Sequence, residues 1–409
     1  MSDPRNATAD EFNQHDSELM QRPYEFFDRV RESGCPVAHS KELGGFYYTT
    51  NYAATRRVYD DFRTFSSSDG TALPKQPLPL YPIDLDPPAQ TRHRKVLNPI
   101  FTPEAVKQHK ARFEEVINEL IDGFVGRGEA ELQEDLVRPT LATIIIPFLG
   151  VPMEDRDKLA HWLDYLTRRR ADDPETCARY GEELGAYLLE FIALRRNSPP
   201  REDLMQVLID ADVNGEKLTD MELLGTATLV LFGGLDTTSA ALGKALWYLI
   251  ENPEDARKLL EGEMDFDVAL HEFVRVASPI QGLRRTVTKD TVLEGCPLKA
   301  GDFVMAMNGA ANHDPDQFSD PDEVRFDRAP RNEHEHLGFG GGAHICLGQH
   351  FAKLLMRTLI TAVLTRLPDL EIAPGFEPEY AVGESRVLKK LPVRFRVPAD
   401  AETATVSAA

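Results

Sequence analysis

The stretch FGGGAHICLG, residues Phe339–Gly348, decides how this sequence is interpreted. Its glycines allow the backbone to turn tightly ahead of a cysteine, and the apolar spacing that follows predicts a helix from Leu347 through Leu364. The sulfur of Cys346 would then lie near a helix N-terminus. There, the positive end of the helix dipole and the free N–H groups favour a thiolate, which is the reactive and metal-binding form of cysteine.

The other three cysteines, Cys35, Cys177 and Cys296, are far from one another and from Cys346. Wide, irregular spacing argues against a disulfide framework, and no C-x-x-C pair indicates zinc. We therefore expect these three side chains to be buried, inert thiols.

Composition excludes several classes of protein. Hydrophobic residues make up 42% of the 409 residues, and the formal net charge is −21. Such an acidic chain does not suit general nucleic-acid binding, which needs a basic surface. The polar start is unlike a secretory signal, and no apolar run reaches the ~18 residues of a membrane span. We expect a cytoplasmic protein without a membrane anchor.

The pattern along the chain is mostly helical. Helical periodicity covers residues 106–125, 155–170 and 174–195, and strand signals occur at 45–50, 290–307 and 387–397. We predict a mainly α fold with minor β structure, of the α+β class. We also predict one domain over residues 19–398, with flexible ends at 1–18 and 399–409.

The longest predicted helix begins after Thr219, which forms a T-x-x-E capping box with Glu222, and ends before Pro253. About 32 residues give a rod of roughly 48 Å, long enough to cross a domain. Its apolar middle indicates burial. The sequence Gly-Gly-Leu-Asp-Thr-Thr at 233–238 is unusual there, because glycine weakens a helix and a buried aspartate needs partners.

Four positions of the cysteine segment, Phe339, Gly342, Cys346 and Gly348, fit the pattern F-x-x-G-x-x-x-C-x-G. This pattern resembles the haem-binding signature of the cytochromes P450, and of the soluble bacterial, camphor-hydroxylase type in particular. Three further segments agree in order: residues 233–238 resemble the oxygen-activation motif, Glu272 and Arg275 the E-x-x-R pair, and Arg328 the arginine that completes it. The resemblance extends from about Gly45 to Val397.

The resemblance implies a triangular, helix-rich body with a long central helix and small peripheral sheets. It implies haem b as the cofactor, with Cys346 as the axial ligand of its iron. Asp236 would gate proton delivery from solvent, and Thr237 would hydrogen-bond at the oxygen-activation site, where a local kink is expected. Glu272, Arg275 and Arg328 would fix the segment that carries the cysteine loop.

Haem carries two propionates, which require cationic and hydrogen-bonding partners. The resemblance assigns these roles to Arg94, Arg285 and His344. Many relatives have histidine where this chain has Gln90, although the camphor-hydroxylase type shares the glutamine. The substitution leaves one cation fewer around the propionates.

The resemblance also implies a separate electron donor, because we expect no room for a flavin domain. The expected donor is an iron–sulfur ferredoxin served by a flavoprotein reductase. It would dock near Arg92, Arg94 and Lys95, a basic cluster on an acidic chain. We expect the protein to act as a monomer.

The substrate contacts follow only from the resemblance, and their lining is mostly apolar. We expect O2 and a small or medium hydrophobic substrate such as a terpenoid or aromatic molecule. The expected contacts are Leu78, Leu80, Ile83, Leu229, Phe232, Gly233, Gln281, Leu283 and Ser385.

Two other functions use the same fold and cofactor. A peroxygenase would use hydrogen peroxide directly and usually lacks the Asp-Thr pair. A non-enzymatic haem sensor or carrier would not need a proton relay. The presence of Asp236 and Thr237 disfavours both, and a helical enzyme without haem stays as a fourth interpretation.

Overall fold

The computed structural model describes residues 7–169, 173–213, 215–328 and 335–399. The α-helices are α1 Pro23–Glu32, α2 Tyr52–Asp60, α3 Ala89–Leu97, α4 Pro103–Lys107, α5 Lys110–Asp122, α6 Arg138–Leu149, α7 Arg156–Arg168, α8 Pro174–Arg196, α9 Leu204–Asp210, α10 Asp220–Glu251, α11 Pro253–Glu261, α12 Phe266–Ala277, α13 Asn308–Asn312 and α14 Gln349–Arg366. Helices dominate, as predicted.

The β structure is small and divided among several sheets. The strands are β1 Val37–Ser40, β2 Phe46–Thr49, β3 Phe65–Ser66, β4 Glu129–Glu131, β5 Asp212–Val213, β6 Glu216–Lys217, β7 Leu283–Val287, β8 Thr291–Leu293, β9 Cys296–Leu298, β10 Phe303–Ala306, β11 Glu371–Ile372, β12 Tyr380–Ala381, β13 Val387–Leu388 and β14 Pro392–Arg394. The largest sheet has the order β1-β2-β10-β7-β3, in which only β2 and β10 pair in parallel. The predicted α+β class is confirmed.

Helix α10 is the central element. The hydroxyl of Thr219 accepts the N–H of Glu222, and the Glu222 carboxylate accepts the N–H of Thr219 at 2.8 Å, which is the predicted capping box. Asn252 ends the helix, and Pro253 starts the next one. Because α6, α8, α12 and α14 all contact α10, its middle is enclosed on several sides.

The core consists of one large apolar cluster between the helices and smaller clusters beside the main sheet. The large cluster draws side chains from Leu97 to Phe395, which covers most of the chain. The cluster on one side of the sheet contains Phe12, Phe26 and Tyr48. Side chains that are distant in sequence therefore pack together in the same apolar cluster.

Three expectations about local structure differ from the observed structure. Of the three cysteines expected to be buried, Cys177 is buried, whereas Cys35 is exposed and Cys296 is half-buried. The helix expected over 106–125 is two helices, α4 and α5, separated at Gln108 and His109. The chain start is packed rather than loose from Ala7 onward, because Phe12 is completely buried and stacks on Phe26 at 5.4 Å. Residues 1–6 and 400–409 of the expected flexible ends lie outside the described residues. No helix in the described part of the chain is both long and apolar enough to cross a membrane.

Candidate functional site

The cysteine loop lies between α13 and α14 and is closed by its own backbone. The N–H of Cys346 donates to the carbonyl of Phe339 at 2.8 Å. Gly342 has a φ of +58°, and a methyl group added there would stand 2.1 Å from the carbonyl oxygen of Tyr59 on α2. Only glycine satisfies both requirements, so this position fixes how closely the loop approaches α2.

Cys346 lies at the end of this loop, two residues before Gly348, which caps α14. It is half-buried and keeps part of its accessible surface. Burial raises the pKa of the Cys346 thiol, whereas the Gly348 N–H and the charge of Arg94 act in the opposite direction. The Gly348 N–H and the charge of Arg94 therefore favour the thiolate form of Cys346.

Helix α3 holds the loop from one side. The amide of the buried Gln90 donates to the carbonyl of Ala343, and the guanidinium of Arg94 donates to the carbonyl of Ile345 at 2.8 Å. Arg94 therefore turns inward, toward the residue before Cys346. Arg94 does not suit the external docking role that was expected for it, because its guanidinium faces the cysteine loop inside the protein.

Arg285 on β7 is a buried cation, and one of its two terminal nitrogens lacks a hydrogen-bond acceptor. The side chain is 1% exposed. Its Nη1 donates to the carbonyl of Arg284 at 2.8 Å, and Nη2 has no hydrogen-bond acceptor among the described residues. An unpaired buried donor of this kind is costly and indicates a missing anionic group.

His344 lies close to the same charges. Its Nε2 and the hydroxyl of Ser67 are 3.3 Å apart. Burial, and then the charges of Arg285 and Arg94, lower the pKa of His344 to about 3, so the ring is neutral at pH 7. Arg94, Arg285 and His344 thus converge beside the cysteine loop as a set of hydrogen-bond donors with a positive field.

The predicted Glu-Arg-Arg set is brought together behind the loop. Arg275 forms a bidentate pair with Glu272 at 2.7 and 2.8 Å, and Arg328 donates to the same carboxylate at 2.9 Å. Burial alone would raise the pKa of Glu272, but the two arginines and the N–H of Arg325 outweigh it and leave the pKa below its ordinary value. Arg275 also donates to three backbone carbonyls, of Asn312, Pro321 and Glu323, and so ties α12 to the segment ahead of the cysteine loop.

One face of α10 opens onto a hollow although the helix is central. Leu229, Gly233 and Thr237 follow one another at four-residue intervals and all keep accessible surface. Nothing lies within 4 Å of the place where a side chain of Gly233 would begin. The helix is continuous here, and the hydroxyl of Thr237 donates to the carbonyl of Gly233 at 2.6 Å, a contact that often bends helices.

Asp236 lies beside this face and is buried. Together with Ser239, it lines a cavity of about 360 Å³ between α6, α7 and α10 that also includes the charged groups of Arg138, Arg156 and Asp164. The carboxylate therefore stands between the core of the protein and a cavity whose lining includes several charged groups.

Only some of the residues that were expected to contact the substrate lie close to one another. Leu229 and Gly233 share the open face of α10, whereas Phe232 lines the cavity of Asp236. Leu80 is buried, and Leu78, Ile83, Leu283 and Ser385 keep part of their surface, Ser385 bridging to Ile280. Gln281 does not fit the expectation: it is completely buried, and its amide donates to the carbonyl of Ser278 at 2.7 Å.

Some contributors to the site carry no sequence signal. Tyr59 sets the position of Gly342 through a backbone carbonyl, which no side-chain pattern reveals. Asp84 binds three donors in the loop ahead of α3, and the carboxylate of Asp86 accepts the hydroxyl of Ser66 and the N–H of Ser67. The Asp-rich, Pro-rich composition of this loop predicts a turn, but it does not reveal the hydrogen bonds of Asp84 and Asp86.

Comparison with known proteins agrees with this geometry. The family model described as Cytochrome P450 matches residues 50–265 and 266–392. A steroid C26-monooxygenase of Mycolicibacterium smegmatis is 33% identical over 338 residues, covering 81% of this chain and 83% of its own. The monooxygenase PikC of Streptomyces venezuelae is 31% identical over 387 residues, covering 91% of each chain.

A solved structure gives the same result. The P450 CYP109E1 of Bacillus megaterium, in complex with testosterone, superposes with a TM-score of 0.82 at 28% identity, covering 92% of this chain and 98% of its own. The chain therefore belongs to the cytochrome P450 family. It is a P450 monooxygenase, an oxidoreductase, and its cofactor is haem b.

The residues present fit this cofactor. Haem b needs a ligand for its iron, donors for two carboxylates and room for a flat ring. Cys346, the unsatisfied Nη2 of Arg285 and the open space at Gly233 and Gly348 meet these three requirements.

Proposed function

We propose that Cys346 is the axial ligand of the haem iron and that Arg94, Arg285, His344 and Gln90 hold the haem at its propionate edge. The observation that carries this proposal is the buried Arg285, whose Nη2 lacks an acceptor beside the cysteine loop. A carboxylate would satisfy that donor and offset the positive field of Arg94. Phe339, Gly342 and Gly348 shape the loop that presents the sulfur.

When bound, haem b activates O2 at its iron, so that one oxygen atom enters a C–H bond of the substrate and the other leaves as water. The residues of this chain must deliver protons for that water. We infer that Asp236 takes protons from the cavity that it lines and that the hydroxyl of Thr237 passes them on at the open face of α10. Since both residues lie on adjacent positions of one helix, their spacing is fixed.

The substrate that we propose is a small or medium hydrophobic molecule. The open face of α10 offers Leu229 and a glycine but no charged group, which favours apolar ligands. The relative from Mycolicibacterium smegmatis is named for a steroid and the solved neighbour holds testosterone, and a terpenoid of similar size belongs to the same chemical range.

The proposed electron donor is a ferredoxin served by a flavoprotein reductase. Lys95 is exposed on α3, whose inward face holds the cysteine loop. Arg92 is half-buried and bound to Glu222, and Arg94 is turned inward, so Lys95 contributes the accessible positive charge. We also propose the cytoplasm as the compartment, in keeping with four free thiols.

The experiment that tests the axial ligand is the spectrum of the reduced protein under carbon monoxide. We expect the strongly red-shifted Soret band of thiolate ligation in the wild type and its loss in Cys346→Ser. Cys177→Ser, at a buried cysteine of α8, is the control and should keep the band. Persistence of the band in Cys346→Ser would assign the ligand to another residue.

A further inference from the structure

Two histidines are in direct contact behind the cysteine loop, and we call them the histidine pair. His271 lies on α12, one residue before Glu272, and the buried His336 lies in the segment that leads into the loop. Nδ1 of His271 and Nε2 of His336 are 2.9 Å apart. Neither residue belongs to the proposed haem site or to the proposed proton relay.

The backbone determines which nitrogen of each ring carries hydrogen. The N–H of Gly338 donates to Nδ1 of His336 at 3.1 Å, so Nδ1 carries no hydrogen and Nε2 carries one. The Nε2–H of His336 must then donate to Nδ1 of His271, which is therefore unprotonated as well. Both rings are neutral when these two hydrogen bonds are present together.

These hydrogen bonds join α12 to the start of the cysteine loop. A methyl group at Gly338 would stand 2.8 Å from the carbonyl oxygen of Val274, so this part of the chain lies directly against α12. The ring of the next residue, Phe339, contacts both imidazoles, with centroid distances of 5.9 and 5.6 Å. Since the carbonyl of Phe339 accepts the N–H of Cys346, the histidine pair supports the residue that holds the cysteine backbone.

A cation stands beside the histidine pair. Nζ of Lys353 on α14 lies 3.2 Å from Nε2 of the ring on α12. The neighbouring carboxylates bind other groups: Asp267, one turn earlier on α12, contacts Arg357 at 3.2 Å, and Glu272 is held by its two arginines. Glu335 accepts a side-chain amide at 3.3 Å. The positive charge of Lys353 therefore favours the neutral state of the pair.

A proton added to either ring removes one of the two hydrogen bonds. An imidazolium carries hydrogen on both nitrogens and accepts no hydrogen bond. A protonated His271 would oppose the Nε2–H of His336, and a protonated His336 would oppose the N–H of Gly338. A histidine ordinarily gains its second proton near about pH 6.5, so the arrangement is complete at neutral pH and is lost as the pH falls.

We propose that His271 and His336 are positioning residues that hold the cysteine loop at neutral pH and release it in acid. The geometry of the histidine pair carries the first part of this proposal. Its consequence for thiolate ligation by Cys346 rests on the proposed haem site.

Amide hydrogen exchange of residues 338–340 in the purified holoenzyme tests the release. It is compared at about pH 7.5 and about pH 5.5, on either side of the ordinary titration of histidine, after correction for the intrinsic rate at each pH. We expect protection to fall by about tenfold in acid, the effect of losing one hydrogen bond. The amides of α10 are the internal reference for global unfolding, and their protection should change much less.

Two substitutions at one position imitate the two states. The side-chain oxygen of His336→Asn can accept the N–H of Gly338 at any pH, because asparagine commonly binds the N–H two residues ahead. His336→Phe has no acceptor at any pH. Protection in the wild type should match His336→Asn at neutral pH and His336→Phe in acid. His39→Asn, at an exposed histidine of β1, is the control and should behave as the wild type does.

His271→Asn tests the second ring. Its side-chain oxygen still accepts the Nε2–H of His336, but it does not titrate, so the midpoint of the loss of protection should move to lower pH. An unchanged midpoint would remove His271 from the proposal. Equal pH dependence in the wild type and His336→Asn would overturn the proposal as a whole.

The consequence for Cys346 is measured as the fraction of reduced protein that shows the red-shifted Soret band under carbon monoxide. We expect this fraction to fall in acid in the wild type and in His39→Asn, and to persist in His336→Asn. Acid loss of the band in all three would overturn the link to thiolate ligation. Absence of the band at every pH would contradict the proposed function and leave hydrogen exchange to decide the release of the loop.

Discussion

Arg284 and Arg285 are neighbours on β7 and serve opposite sides of it. The guanidinium of Arg284 donates to the carbonyl of Gly70 at 3.1 Å and lies over the ring of Phe303, so it holds the loop ahead of α3. That of Arg285 lies over the ring of Tyr59 beside the cysteine loop. Since side chains alternate along a strand, two consecutive buried arginines necessarily reach different surroundings.

The first prediction concerns this pair. Arg285→Leu should weaken haem binding by about 1.5–3 kcal/mol, the worth of a charge-assisted hydrogen bond, and so speed haem loss by about tenfold to a hundredfold. Transfer of haem to an excess of apomyoglobin measures the rate. Arg284→Leu is the matched control, and equally fast loss from it would refute a specific role for Arg285.

The second prediction concerns the proton relay. Thr237→Ala removes the hydroxyl on the open face of α10, so we expect product per electron pair to fall by about tenfold while hydrogen peroxide rises. Thr238→Ala, at a neighbouring buried position, should keep product and peroxide near the wild-type ratio. Full coupling in Thr237→Ala would remove this residue from the relay.

The contacts of a residue could be predicted from the sequence where both the residue type and its spacing from other residues match a motif. Cys346, the Glu272–Arg275 pair and Arg328 stand in the arrangement that their motifs indicate. Gln281 and Arg94 were harder, because Gln281 lies in the connection between α12 and β7 and Arg94 turns from α3 toward the cysteine loop. Periodicity gives the direction of side chains within a regular strand or helix, but it gives no direction in a connecting segment and no partner for a single polar group.

Among the elements, the cysteine loop depends most on backbone geometry. Gly342 and Gly341 are adjacent, yet only Gly342 combines a positive φ with a close carbonyl. The loop is therefore held by contact with α2 as well as by its own hydrogen bonds.

The third prediction follows from this difference. Gly342→Ala should push the loop away from α2 and leave much of the purified protein without haem, because the added methyl group would overlap the Tyr59 carbonyl. The haem content per chain, from pyridine haemochrome absorbance, measures the effect. Gly341→Ala, whose methyl group would stand 3.3 Å from Cβ of Tyr59, should stay near full occupancy. Normal occupancy in both variants would contradict the close approach.

Element boundaries were predictable where local signals are strong. The capping box at Thr219 and the proline at 253 set both ends of α10 without help from the rest of the fold. The separation of α4 from α5 has no such signal, because both helices contact α14 and this packing overrides a continuous apolar period. The order of strands in the main sheet likewise depends on long-range pairing.

For the whole molecule, the net charge of −21 governs how partners approach. An acidic ferredoxin meets overall repulsion, so a local positive group has a large influence on the rate of productive encounter. Lys95 is exposed on α3, next to the loop of Cys346.

The fourth prediction is that Lys95→Glu slows electron transfer from a ferredoxin by about tenfold at low ionic strength and less at high salt. Second-order rates by stopped flow, over a range of salt concentrations, measure this effect. Lys110→Glu on α5 makes the same change in net charge and serves as the control. Identical salt dependence in the two variants would remove Lys95 from the docking surface.

On α8, Gly185 leaves room for Leu78 of the loop ahead of α3, because a methyl group at Gly185 would stand 3.0 Å from Cδ2 of Leu78. This packing has a consequence for how the enzyme can diverge. A larger residue at 185 is compatible with this packing only if the side chain at 78 is smaller, so the two positions should change together over evolutionary time. Lineages in which both side chains have changed size in opposite directions would keep the loop packed on α8, and lineages with one change alone would lose that contact. Paired substitutions at 78 and 185 are thus a route by which selection could retune selectivity while leaving the catalytic residues untouched.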